Sequence, residues 1–314
     1  MTNSISTLEM SREEWLATRK RGIGSSDVPS ILGLNPYKSP LDVYSEKISA
    51  EIIETPENDA MHFGNVLEQV VADEFTRRTQ RKVIRDNKIR IHPVKQFMLC
   101  NLDRIILPSD GEGRGVLECK TASSYARKAW GDTQIPLSYF AQVQHQLNVT
   151  GMSWGILALL VDGRSFESFD IALDAEYLAM QDKILTDFWY DNVLGKNPPP
   201  PTVADLEMLQ SAVGSVIEAD ESVLSDVDLL AEKRAAAKAL DTEVTEVEER
   251  VKLYIGTHEA LSHGGRMLAS WKSSKPSVTI DVKRLREEDP QIAERYSVTK
   301  PGSRRFLLKT TKEG

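Results

Sequence analysis

The chain has 314 residues, 40% hydrophobic and 27% charged, the composition of an ordinary globular protein with room for one large domain and an appendage. No apolar run approaches the roughly 18 residues of a membrane span, and the first residues lack the basic flank and apolar stretch of a secretory signal. The only two cysteines, Cys100 and Cys119, exclude a disulfide scaffold or a four-cysteine cluster and fit a reducing cytoplasm.

In chain order, Ser11-Arg12-Glu13-Glu14 is a capping box, so a helix starts there and ends by Gly22. A Gly-Ile-Gly-Ser-Ser-Asp turn (22–27) follows, with Ser25 or Ser26 able to cap a short helix stopped by Gly33. Ser39-Pro40 opens a third helix. Val66, Leu67, Val70, Val71 and Phe75 recur near period 3.6, predicting a long helix over 64–80. Met98–Ile106 and Gly115–Lys120 read as a hairpin joined by the turn-rich Pro108–Gly113. A helix over Leu137–Val149, strands at Trp154–Val161 and Phe166–Ile171, and a long helix over Asp174–Val193 complete a mixed α/β domain.

Pro198–Pro201 marks a boundary, giving domains 1–200 and 201–314. Leu240, Val244, Val247, Val251 and Tyr254 repeat at 4-3-4-3 spacing, predicting a coiled-coil-like helix paired with a partner near 203–236 and ended by Gly264-Gly265. Short strands are expected over 266–312, at Met267–Trp271, Ser277–Ile280 and Arg305–Leu308. The net charge of −8 is uneven: residues 251–314 carry 13 basic against 7 acidic groups, residues 201–250 carry 4 against 13. Any nucleic-acid surface is therefore local, with one candidate in the basic run from Arg77 to Arg90 and another at Arg304, Arg305 and Lys309.

Chemistry concentrates in Asp103 and Glu118-Cys119-Lys120. Period 2 puts Glu118 and Lys120 on one strand face, and a paired strand brings Asp103 to them. Two carboxylates plus a backbone carbonyl suit Mg²⁺, and an adjacent ammonium orients the attacking water, or deprotonates it if burial lowers its pKa. On the bare pattern alone, a cross-strand salt bridge on a solvated face is the better explanation. Glu68 on the preceding helix is placed to reach the same cation. Gln142 and Gln146 share a helical face, where amides orient a water or a phosphate. Arg19 with Ser25 and Ser26 makes a ready site for a terminal phosphate.

Arg19-x-x-Gly22-x-Gly-Ser-Ser-Asp-x-x-x-Ile31-Leu32-Gly33, Phe63-Gly64-x-x-x-Glu68, Asp103, Glu118-Cys119-Lys120 and Ala141-Gln142-Val143-Gln144 occur in this order. Together they resemble the YqaJ-type viral recombinases, the lambda-exonuclease-like branch of the PD-(D/E)XK nucleases, over about residues 12–195. The resemblance implies a restriction-endonuclease-like core with a central mixed sheet flanked by helices. It implies Asp103, Glu118 and the Cys119 carbonyl as metal ligands, Lys120 as the catalytic lysine, and Glu68 and Gln142 completing a site for two Mg²⁺, with Mn²⁺ as substitute. Arg19 and Ser26 would hold a 5′ phosphate. The implied activity is 5′→3′ degradation of linear duplex DNA in a host bacterial cytoplasm, by a ring-forming homotrimer that leaves 3′ tails for a phage single-strand-annealing protein. The family's Pro-Asp is Leu102-Asp103 here, which leaves the ligand in place.

Overall fold

The computed structural model describes residues 3–52, 58–109, 111–130, 135–208, 215–299 and 304–309. It divides into two compact units, Met1–Leu206 and Glu207–Gly314. The first unit contains β1 (Asn3–Ser6), α1 (Arg12–Lys20), α2 (Val28–Ile31), α3 (Pro40–Ile48), α4 (Asp59–Thr79), β2 (Val83–Ile84), β3 (Lys88–Ile91), β4 (Leu99–Cys100), β5 (Arg104–Ile106), β6 (Gly115–Ala122), α5 (Ser124–Lys128), α6 (Leu137–Thr150), β7 (Trp154–Val161), β8 (Ser165–Ala172) and α7 (Ala175–Asp187). A π-helical turn, Phe188–Leu194, prolongs α7, so the expected single helix changes pitch near its end. Then α8 (Val203–Met208) follows.

Local chemistry starts several of these helices. Ser11 and Ser39 each build a capping box, with Glu14 and Asp42 as the reciprocal partners. α2 starts differently from expectation: neither Ser25 nor Ser26 caps it. Asp27 is the N-cap residue and makes no side-chain capping bond, because its carboxylate turns back to accept from the Gly24 N–H at 3.0 Å and from Lys47 at 2.7 Å.

The central sheet runs β2-β5-β6-β7-β8. β6 and β7 are parallel and the other neighbours antiparallel, so the sheet is mixed, and the hairpin expected around Asp103 and Glu118 is its β5–β6 pair. Asp110 of the expected turn lies outside the described residues. One sheet face, with Leu117, Cys119, Ile156 and Ala158, packs on Val71, Ala72 and Phe75 of α4. The other, with Val116 and Leu157, packs on Ala141, Val143 and Leu147 of α6. The strict alternation along β6 thus sends Leu117 and Cys119 to α4, and Glu118 to α6. A separate sheet, β1-β3-β4, was not expected from the sequence.

The second unit departs from expectation. Its α9 is one helix of 35 residues, Glu221–Ile255, and residues 232–250 are exposed throughout. Among the described residues the expected helical hairpin is absent: within 203–236 they hold the six residues of α8 and the start of α9 itself, and 209–214 lie outside them. Gly256 at φ +58 ends α9. Gly264 and Gly265, at φ +58 and +79, instead make the turn between β9 (Ala260–His263) and β10 (Arg266–Ser270), where both central residues need positive φ. Neither Ser277–Ile280 nor Arg305–Leu308 is a strand; α10 (Val282–Glu288) and α11 (Pro290–Arg295) follow. An alternating β-branched run stays irregular when no neighbouring strand accepts its hydrogen bonds. No helix among the described residues is long and apolar enough to cross a membrane.

Candidate active site

A cleft of about 440 Å³ in the first unit is lined by Arg19, Ser25, Ser26, Glu68, Asp103, Glu118, Cys119, Lys120 and Gln142, together with Trp15 and Asn101. Of the candidate site residues read from the sequence, all but Gln146 line it. The convergence follows from the fold. Asp103 immediately precedes β5, whose Arg104 pairs with Leu117 of β6. Its carboxylate accepts from the Cys119 backbone N–H at 2.8 Å. Glu118 and Lys120 lie two apart on β6, with the ammonium 2.6 Å from the carboxylate.

Glu118 is buried and fully partnered. Its Oε1 accepts from Gln142 at 2.6 Å as well as from Lys120, and its Oε2 accepts from Gln146 at 2.7 Å. Gln142 and Gln146 are one turn apart on α6, so the face that the periodicity marked does reach the site. Burial first, and the Glu118 charge second, push the Asp103 carboxyl well above its ordinary range. Burial pulls the Lys120 pKa down, but Glu118 and Asp103 outweigh it and hold the group above its usual value. Beside these two carboxylates Lys120 is favoured as an ammonium donor rather than as a base. Both thiols are pushed up by burial, so the Cys119 side chain stays protonated and only its backbone carbonyl suits a hard cation.

Glu68 enters from α4, on the other side of the sheet. Its carboxylate pairs with the buried guanidinium of Arg104. Arg104 also donates to Gln69 Oε1 at 2.8 Å and to the Asp103 carbonyl. Glu68 shares the cleft but turns toward Arg104, and among the described residues no three His, Cys, Asp or Glu side chains close into a ready ligand cluster. The oxygen donors of Asp103 and Glu118 still fit a hard divalent ion: a buried carboxylate whose pKa has been forced up lacks the positive charge that such an ion brings.

The turn at 22–27 forms the other wall. Ile23 N–H donates to the Phe97 carbonyl at 2.6 Å, and Leu99 N–H donates to the Ile23 carbonyl at 2.8 Å. A Cβ on Gly22 would lie 2.3 Å from the Phe97 carbonyl oxygen, so only glycine allows this approach. The Arg19 guanidinium lies over the Trp15 ring at 4.6 Å and donates to Ser26 Oγ at 2.6 Å. Beneath it, burial would raise the Asp27 carboxyl, yet Lys47, Arg19 and Lys38 hold it well below the usual range. Sequence reasoning missed Arg104 and the Asp27–Lys47 pair. The basic run at 77–90 is less available than its charge implied: Arg77 and Arg78 pair with Glu74, Arg81 with Glu112 and Arg90 with Asp86.

An aspartate on one strand end, Glu-x-Lys on the neighbouring strand and helices on both faces form the arrangement that the resemblance to PD-(D/E)XK nucleases implies. Residues 14–153 match the model of the YqaJ-like viral recombinase domain. The chain is 35% identical over 317 residues to Uncharacterized protein YqaJ of Bacillus subtilis (strain 168), covering 96% of this chain and 95% of that protein. It belongs to the YqaJ-like viral recombinase family. Similar solved structures include an alkaline exonuclease, LHK-Exo, from Laribacter hongkongensis (18% identity, 59% of this chain and 94% of that one, TM-score 0.49). Another is a phage-related exonuclease from Haemophilus somnus (11% identity, 56% and 96%, TM-score 0.41).

Proposed function

We propose that the protein is a divalent-metal-dependent 5′→3′ exonuclease acting on ends of linear duplex DNA. The observation that carries this reading is the shared cleft: the Asp103, Glu118 and Lys120 cluster and the Arg19–Ser26 pair line the same cavity. Asp103, Glu118 and the Cys119 carbonyl would hold the cation, and Glu68 completes the acidic lining. When bound, Mg²⁺ supplies a Lewis acid at the scissile phosphate and acidifies the attacking water, with two ions as the expected complement. Lys120 donates to the phosphate or to that water, and Gln142 orients whichever group Lys120 leaves. Arg19, Ser25 and Ser26 bind the terminal 5′ phosphate, which sets polarity by placing the scissile bond in register only when an end is seated.

The products of such an enzyme are 3′ single-stranded tails, the substrate of a phage annealing protein, and a homotrimer closed around DNA would keep it on one strand without ATP. A light-scattering mass of three chains is expected. The decisive assay is a time course on linear duplex labelled at the 5′ or the 3′ end, with Mg²⁺ or with EDTA, beside covalently closed plasmid. Early Mg²⁺-dependent loss of the 5′ label with intact plasmid is expected. Nicked plasmid, or first loss of the 3′ label, overturns the reading.

A further inference from the structure

One buried group at the site has no task in this scheme. Gln146 is fully buried and, unlike Gln142, does not line the cleft. Its Nε2 donates to Glu118 Oε2 at 2.7 Å and, more weakly, to the Asn101 carbonyl at 3.4 Å. Its Oε1 is buried without a hydrogen-bond partner. This orientation is forced: turning the amide over would face Oε1 against a carboxylate and lose a charge-assisted bond. The side chain is therefore held by what its N–H groups grip. It grips Glu118 on β6 and the backbone two residues before Asp103.

The two oxygens of Glu118 are thus held by different partners. Oε1 accepts from Gln142 and Lys120, both cleft-lining, while Oε2 accepts from Gln146, which does not line the cleft. A cation entering from the cleft meets Oε1 and competes with Gln142 and Lys120. It does not compete with Gln146. We propose that Gln146 is the permanent anchor of Glu118: a positioning residue that fixes the carboxylate and ties it to the Asp103 loop. Gln142 and Lys120, by contrast, are releasable partners that pass from Glu118 to the substrate. The proposal rests on the metal-dependent reading above. Support of a ligand by an outer hydrogen bond typically sets metal affinity by 10- to 100-fold.

The test compares Gln146→Met, close in volume but without donors, with Gln142→Met. Mn²⁺ binding is measured on the full chain by electron paramagnetic resonance, without DNA. Gln146→Met should weaken Mn²⁺ binding by about 10- to 100-fold, and raising Mn²⁺ should recover most of its single-turnover cleavage rate. Gln142→Met should leave Mn²⁺ binding within about threefold, yet keep a cleavage defect of about tenfold or more at saturating Mn²⁺. Wild-type Mn²⁺ affinity in Gln146→Met, or a rate defect that Mn²⁺ does not relieve, overturns the anchor. Should that variant not fold, the side-chain amide resonances of the wild type decide. On adding Mg²⁺ the Gln142 pair should move and the Gln146 pair should hold, and the reverse overturns the proposal. A wild type that binds Mn²⁺ but cleaves no DNA overturns the nuclease reading alone, because the affinity comparison still stands.

Discussion

The Lys120 ammonium and the Glu118 carboxylate, two residues apart on one strand face, lie 2.6 Å from each other. Glu118 is almost completely buried, whereas a quarter of the Lys120 side chain is exposed to the cleft. That asymmetry makes Glu118 a fixed element of the site and Lys120 the one that can turn outward to a substrate.

Lys120→Ala should therefore abolish hydrolysis while leaving DNA binding in place. Removing one preorganised donor to a developing charge typically lowers turnover by about 100- to 1,000-fold. Single-turnover rates and fluorescence anisotropy in Ca²⁺ separate the two effects. Normal turnover in the variant would remove Lys120 from the mechanism.

Arg19→Ala should erase preference for phosphorylated 5′ ends. The guanidinium is pre-aimed by the Trp15 ring and by Ser26, so its charge-assisted bond to a phosphate should stabilise the seated end by about 1.5–3 kcal/mol, roughly 10- to 100-fold in apparent affinity. Rates on 5′-phosphate and 5′-hydroxyl duplexes check this. If the variant still discriminates as the wild type does, the phosphate is bound elsewhere.

Much of this site was legible because strand and helix periods decide it locally. Glu118 and Lys120 share a face by alternation, and Gln142 and Gln146 by helical spacing. Which sheet face each helix covers is a tertiary fact, so the reading of Glu68 as a cleft residue did not include its pairing with Arg104. Arg104 carried no signal, as an arginine following an aspartate in an apolar strand reads like any surface charge. β3 and β4 have four and two residues, too short for alternation to show. In α9 the 4-3-4-3 pattern correctly marked a helix, but a pattern names no partner, and Leu240 and Val244 are 62% and 55% exposed.

His145 predicts acid sensitivity in the first unit. It is fully buried, with Nε2 against the Leu99 carbonyl at 3.0 Å and Nδ1 unpartnered. Burial lowers its pKa from 6.5 to about 4. The fold holds the neutral ring, so below pH 6.5 the unfolded chain gains a proton that the folded chain refuses. Stability should drop by on the order of 3 kcal/mol as pH falls from about 6.5 to 4. Urea unfolding across this range should show the slope, and His145→Gln should flatten it. An unchanged slope in the variant would assign the acid loss to other groups.

Asp103 predicts the opposite limb and couples it to the metal. Burial and then Glu118 raise its carboxyl to about 8. Without a cation the fold favours the protonated acid, so the stability this proton brings is present at low pH and lost as pH rises through about 8. A divalent ion needs the carboxylate and must displace that proton. Each pH unit below about 8 should then weaken Mn²⁺ binding by up to about tenfold, levelling off by pH 9. Calorimetry in buffers of different ionisation enthalpy should find close to one proton released per site at pH 7 and fewer at pH 9. Asp103→Asn should abolish the release together with most of the binding. Mn²⁺ affinity that is flat from pH 6 to 9 in the wild type would show that Asp103 is already ionised without metal, and that the cation does not replace its proton.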